Sequence, residues 1–195
     1  MKALLDPKFL ITTLGIFGVF GIVFAESGLL VGFFFPGDSL LFTAGFLASQ
    51  NYFNIVFLVV GSVVAAILGD SVGYWLGAKI GPKIFNRPNS RWFNPQHVER
   101  TGAFYARYGK KTIILARFIP IIRTFAPVMA GVGKMSYPLF LSYNIIGGII
   151  WGAGMPLAGY LLGQTIPSAD RYLLPIILVI IIISLIPALK HFFHK

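Results

Sequence analysis

Residues 27–49 read SGLLVGFFFPGDSLLFTAGFLAS, an apolar run broken at its centre by Pro36, Gly37 and Asp38. A helix needs roughly 20 apolar residues to cross a bilayer core of about 30 Å. Each half of this run has about ten, so neither half crosses alone. Residues 112–133 repeat the pattern, with Pro120 and Pro127 as breaks and Arg117 and Arg123 as charges. Proline removes a helical hydrogen bond. Irregular backbone at membrane depth survives only inside protein or beside water. Both stretches are therefore read as re-entrant hairpins, with kinked spanning helices as the alternative.

The rest of the chain fits a membrane solvent. It has 195 residues, 56% hydrophobic and 11% charged, with a mean hydropathy of +0.80. Soluble domains carry about 25% charged residues, and a domain of about 150 residues hides only about 70% of its unfolded surface. A soluble enzyme, a disordered chain and a nucleic-acid binder are excluded on this basis. The net charge of +10 then reflects basic loops that hold orientation. Cysteine is absent and only His97, His191 and His194 are present, so no metal site and no cofactor are expected.

Four stretches have the length or composition of spans: 9–25, 55–78, 137–163 and 172–189. The first resembles a signal peptide, with Lys2 and Lys8 before it and Val23-Phe24-Ala25 at its end. It is read as retained, because Glu26 begins a motif that needs the preceding helix. The polar stretch from Lys79 to Lys111 contains Asn94-Pro95 as a helix start, with Val98, Thr101, Tyr105 and Tyr108 at helical spacing. It reads as an amphipathic helix lying in the interface or packed on the protein.

Gly73-Tyr74-Trp75-Leu76-Gly77 recurs 86 positions later as Gly159-Tyr160-Leu161-Leu162-Gly163. Ala44-Gly45 and Gly61 recur at the same offset as Ala130-Gly131 and Gly147. Each copy is one hairpin followed by one span. Thirteen of the sixteen Lys and Arg fall on the termini, the central stretch and the Lys134 turn, against one in 164–171 and none in 26–54. The termini and centre are thus cytoplasmic, and the two copies have opposite orientation. The expected fold is an all-α polytopic membrane protein, an inverted repeat of re-entrant helical hairpin plus transmembrane helix with flanking transmembrane helices. It forms one domain over 1–195: repeat 1 at 26–81, the amphipathic segment at 82–111, repeat 2 at 112–167 and a C-terminal span at 172–190.

The charges carry the chemistry. Hairpin one contributes Glu26 and Asp38, and hairpin two contributes Arg117 and Arg123. A charge at membrane depth costs about 2.5–3.5 kcal/mol on insertion scales, so four unpaired would cost on the order of 10 kcal/mol. They pair, sit in a cavity, or bind something charged. Arginine forks onto phosphate oxygens, and buried carboxylates exchange protons. The set suits a proton-coupled carrier of an anionic head group. Asp70, expected towards the cytoplasmic end of its span, either snorkels, pairs with a loop cation or takes part directly. Asn144 orients a hairpin charge, and Trp151 is read as packing.

These motifs resemble the DedA family, the bacterial branch of the VTT-domain membrane proteins. The resemblance runs over roughly 15–165. It rests on Glu26-Ser27-Gly28, Phe35-Pro36-Gly37-Asp38-Ser39, Gly69-Asp70, Gly73-Tyr74, Arg117-Phe118-Ile119-Pro120, Arg123-Thr124, Ala130-Gly131, Asn144, Gly147, Trp151 and Gly159-Tyr160. It implies that Glu26 and Asp38 are the essential acids and Arg117 and Arg123 the essential arginines, with Pro36, Gly37, Asp70, Pro120 and Asn144 in support. It also implies a flippase or scramblase of the bacterial cytoplasmic membrane, linked to proton motive force, moving undecaprenyl phosphate or a phospholipid. Partners are then membrane lipids and protons, with no nucleic acid. A proton or small-ion antiporter is the alternative, followed by an intramembrane aspartyl protease on Asp38 and Asp70 that would leave the arginines idle. A lipid phosphatase lacks a histidine placed to attack phosphorus, and a non-transporting assembly factor stays open. The chain is not expected to be an enzyme.

Overall fold

A computed structural model describes residues 7–29, 37–84, 117, 120–165 and 175. Pro36, the segment 85–116 and, apart from residue 175, the expected C-terminal span lie outside the described residues, as do the termini used for orientation. Among the described residues the chain is entirely helical. The elements are α1 (Pro7–Gly28), α2 (Gly37–Ser49), α3 (Ile55–Ile84), α4 (Pro120–Val132) and α5 (Tyr137–Thr165).

Among the described residues two helices are long and apolar enough to cross a membrane, over Ile55–Gly81 and Tyr137–Thr165. Asn54 starts α3, accepting the Phe57 amide on its side chain at 3.1 Å and the Leu58 amide on its carbonyl at 3.0 Å. The helix then continues to Ile84, past the apolar run and into the stretch read from sequence as polar. The exposed side chain of Lys79 shows how: a long stem reaches outward while the backbone stays helical. Helix α1 is bent rather than straight. Gly15 adopts φ 66°, ψ −169°, a conformation that a residue with a Cβ rarely enters.

Helices α2 and α4 have 13 residues each. Both end in the same way, with a left-handed residue (Asn51, φ 65°; Lys134, φ 56°) and paired backbone bonds closing the last turn. Tyr52 bonds back to Leu47 at 3.1 Å, and Met135 to Ala130 at 3.0 Å. Pro120 opens α4, where its missing amide costs nothing. Pro127, expected as a second break, sits inside α4 without ending it. It leaves only the Arg123 carbonyl without its helical donor.

The helices pack crosswise. Helix α2 lies against α5, α4 against α3, and α1 and α5 both against α3. Glycines set these approaches. Gly69, Gly73, Gly77 and Gly81 recur every four residues on α3, facing first α1 and then α4. A Cβ on Gly77 would overlap the Val128 backbone, and one on Gly131 the Tyr74 backbone. On α5, a Cβ on Gly159 would overlap the Phe42 backbone, as one on Gly77 overlaps that of Val128, the counterpart of Phe42 86 positions on. Small residues at such crossings let helices approach closely without a hydrophobic drive between them. The helix starts, however, repeat at a shorter offset: Pro120 follows Gly37 by 83 positions, and Tyr137 follows Ile55 by 82. The difference is about one helical turn, so the landmark glycines keep their face but shift in depth.

Candidate functional site

Four helix segments converge on Arg123, which lies in the first turn of α4. Its Nη1 donates to Asp38 Oδ1 at 2.8 Å, and its Nη2 donates to Glu26 Oε1. Glu26 comes from the last turn of α1 and Asp38 from the first turn of α2. Trp151, from the middle of α5, donates from Nε1 to the same Asp38 oxygen at 2.7 Å. Its ring lies 4.3 Å from Arg123 Cζ.

The local sequence explains the convergence. The Glu26 carboxylate occupies the place that a Cβ on Gly37 would fill, so glycine at the head of α2 lets the acid come this close, and a Cβ there would push it aside. Both acids then sit at the positive end of the α2 dipole, where negative charge is favoured. Arg123 sits at the same end of α4, where its charge opposes the dipole, and the carboxylates offset that.

A second group forms around Arg117, in the turn before α4. Its Nη2 donates to Asp70 Oδ2 and to Asn144 Oδ1, the latter at 2.6 Å. Asn144 Nδ2 donates in turn to the Ile67 carbonyl of α3 at 3.0 Å, tying α5 to α3. Asp70 falls at the middle of α3 and is buried, where the sequence reading had it towards the end of its span. The helix runs on past Lys79 to Ile84, which moves its midpoint to this residue. With it, the described cluster holds three carboxylates and two guanidinium groups, where the sequence reading balanced two against two.

Burial separates the five charged side chains. Those of Glu26, Asp70, Arg117 and Arg123 are 2–4% exposed, and that of Asp38 is 20% exposed. Asp38 is thus the member that meets the surroundings. Glu26 Oε2, Asp70 Oδ1, Arg117 Nη1 and Arg123 Nε are buried with no hydrogen-bond partner among the described residues. Each such atom costs on the order of 1–3 kcal/mol of lost solvation. The cluster therefore holds spare donors and acceptors that a further polar group could satisfy. No group of three or more metal-ligating residues occurs among the described residues.

Of the residues singled out from sequence, Glu26, Gly37, Asp38, Asp70, Arg117, Arg123 and Asn144 come together here, and Pro120 opens the helix that carries Arg123. Trp151 was read as packing, yet it touches both members of the Arg123–Asp38 pair. Its position seven residues after Asn144, two turns along the same face, was the available signal.

A family model described as the VTT domain matches residues 35–161. Protein DedA of Escherichia coli K12 is 48% identical over 171 residues, covering 87% of this chain and 78% of its own length. An uncharacterized membrane protein of Mycobacterium leprae is 46% identical over 196 residues, covering 97% of this chain and 87% of its own. Another from Mycobacterium tuberculosis H37Rv is 46% identical over 197 residues, covering 97% of this chain and 86% of its own. No solved structure matches the chain.

Proposed function

This chain belongs to the VTT-domain family of membrane proteins, and on that premise we propose that it moves an anionic lipid phosphate between leaflets of the bacterial cytoplasmic membrane. The observation that supports this reading is the sharing of Arg123 between Glu26 and Asp38, with Asp38 the accessible member. In this reading a guanidinium held by carboxylates is the resting state of a phosphate site. The fork that grips a carboxylate also grips a phosphate oxygen pair. Protonation of Asp38 or Glu26 weakens their hold on Arg123 and frees it for the head group, which links transport to the proton gradient. Arg117, with its unpartnered Nη1, supplies a second donor.

In this reading α2 and α4 are the inner arms of two re-entrant hairpins. Their crosswise packing on α5 and α3 is what an inverted repeat would produce. Both termini are cytoplasmic, and the protein is a carrier rather than an enzyme. Undecaprenyl phosphate is the lead substrate and a phospholipid the next.

Reconstitution into vesicles with labelled lipid tests the proposal. Undecaprenyl phosphate should cross faster in vesicles with the protein, and faster still under a pH gradient. Asp38→Asn and Glu26→Gln should abolish the gradient effect, because an amide does not titrate in this range. Amide variants that move lipid at the wild-type rate under a gradient would remove these carboxylates from the coupling. A cysteine at position 97 should resist labelling from outside intact cells, and labelling there would reverse the orientation.

A further inference from the structure

Trp151 makes two contacts at right angles in function. Its Nε1 bonds Asp38 Oδ1 at 2.7 Å, and its ring stacks near Arg123 Cζ at 4.3 Å. The residue is buried. A guanidinium has an edge of five N–H donors and a π face. The edge of Arg123 is engaged by Asp38 and Glu26, with Nε still unpartnered. The face is taken by the indole. Attraction to the ring quadrupole depends on the cation and not on what the edge is bonded to.

We infer that Trp151 is a positioning residue for Arg123, holding its face in place while its edge exchanges carboxylate for phosphate. Without such a hold, an arginine released by its carboxylates would swing to another acceptor, and Asp70 carries a free buried oxygen. The indole N–H serves the same exchange from the other side. It shares the oxygen that Arg123 uses, so Asp38 keeps a donor when the guanidinium turns to another partner. The inference rests on the phosphate role proposed for Arg123, and its test has one arm that does not.

That arm uses tryptophan emission. The chain has three tryptophans, and Trp75→Phe with Trp92→Phe leaves Trp151 alone. In this background Arg123→Gln should shift the emission, and the shift should be equally large when Asp38→Asn is also present. A shift that vanishes with Asp38→Asn means that the carboxylate, not the ring, holds the arginine, and the inference falls.

The second arm measures binding of short-chain phosphatidic acid to the purified full chain in detergent. Trp151→Phe keeps a weaker π face and should bind a few-fold more weakly, with only a small drop in melting temperature from the lost bond to Asp38. Trp151→Leu removes the face and should bind roughly ten- to thirtyfold more weakly. Binding by both variants at the wild-type level would overturn the inference. So would equal losses in both that track a lowered melting temperature, since Trp151 would then be packing. Should the leucine variant fail to fold, the phenylalanine variant and the emission arm decide. A wild-type chain that ignores the probe overturns the phosphate reading instead, and the emission arm still decides whether Trp151 holds Arg123.

Discussion

Arg117 and Arg123 stand on either side of one helix start and differ in what surrounds them. Arg123 is bound by two carboxylates and an indole, and one of those carboxylates is a fifth exposed. Arg117 is bound by one carboxylate and an amide, both sealed from the surroundings. The amide is itself anchored to the backbone of α3. Under the proposed function the open pair is the first to exchange partners, while the sealed pair joins helices and holds one Arg117 donor, Nη1, in reserve. The same residue type, six positions apart, is thus given two different settings by its neighbours.

The largest expected effect lies on the sealed side. Arg117→Leu leaves Asp70 buried without its cation and should destabilise the protein by roughly 3–5 kcal/mol, read as thermal unfolding in detergent. Adding Asp70→Leu should recover most of this, because apolar replacement of a buried pair is often neutral or stabilising. If the double variant is no better than the single, Arg117 is not primarily a partner of Asp70.

On the open side the loss should fall on binding. Arg123→Lys keeps the charge but not the planar fork, and should weaken binding of a lipid phosphate by roughly 1–3 kcal/mol in a normally inserted protein. Arg117→Lys should lose stability first and binding less. Equal binding losses in two equally stable proteins would erase the distinction between the arginines. Asp38→Asn should cost about 1–2 kcal/mol of stability, since charge-assisted bonds become neutral ones, while Asp70→Asn costs more. A larger loss at Asp38 would contradict the burial difference.

The smallest effect is expected away from both groups. Tyr74 donates from its hydroxyl to the Met135 carbonyl and stacks on Phe140 with centroids 4.7 Å apart. Tyr74→Phe should keep the stack and cost roughly 1 kcal/mol, with lipid binding unchanged.

Much of this was legible from the sequence. The two long spans follow from apolar length that single polar residues, Asp70 and Asn144, do not break, and the short helices from Gly37 and Pro120 at their starts. The sign pattern, acids in the first half and arginines in the second, was also plain. The pairing was not, because it joins residues 47, 85 and 97 positions apart and depends on how the helices cross. Asp70 was misplaced for a local reason: hydropathy ended its helix at the first lysines, although an outward-pointing lysine does not end a helix. Pro127 was over-read as a break because the cost of one lost backbone bond was weighed without the packing of α4 on α3. Trp151 looked like any apolar residue, since its role comes from which charges face it.

Chain order adds a consequence for synthesis. Glu26 leaves the ribosome 97 residues before Arg123, and Asp38 85 residues before it. At about 5–20 residues per second this is a wait of roughly 5 to 20 seconds. Until the last few residues of that interval the acids of the first half have neither Arg117 nor Arg123 to meet. They enter the bilayer protonated, or stay in water or against the insertion machinery until the second half arrives. Assembly of this protein is therefore completed by its second half, and a chain cut before Arg117 would carry the three carboxylates of the cluster with neither arginine to receive them.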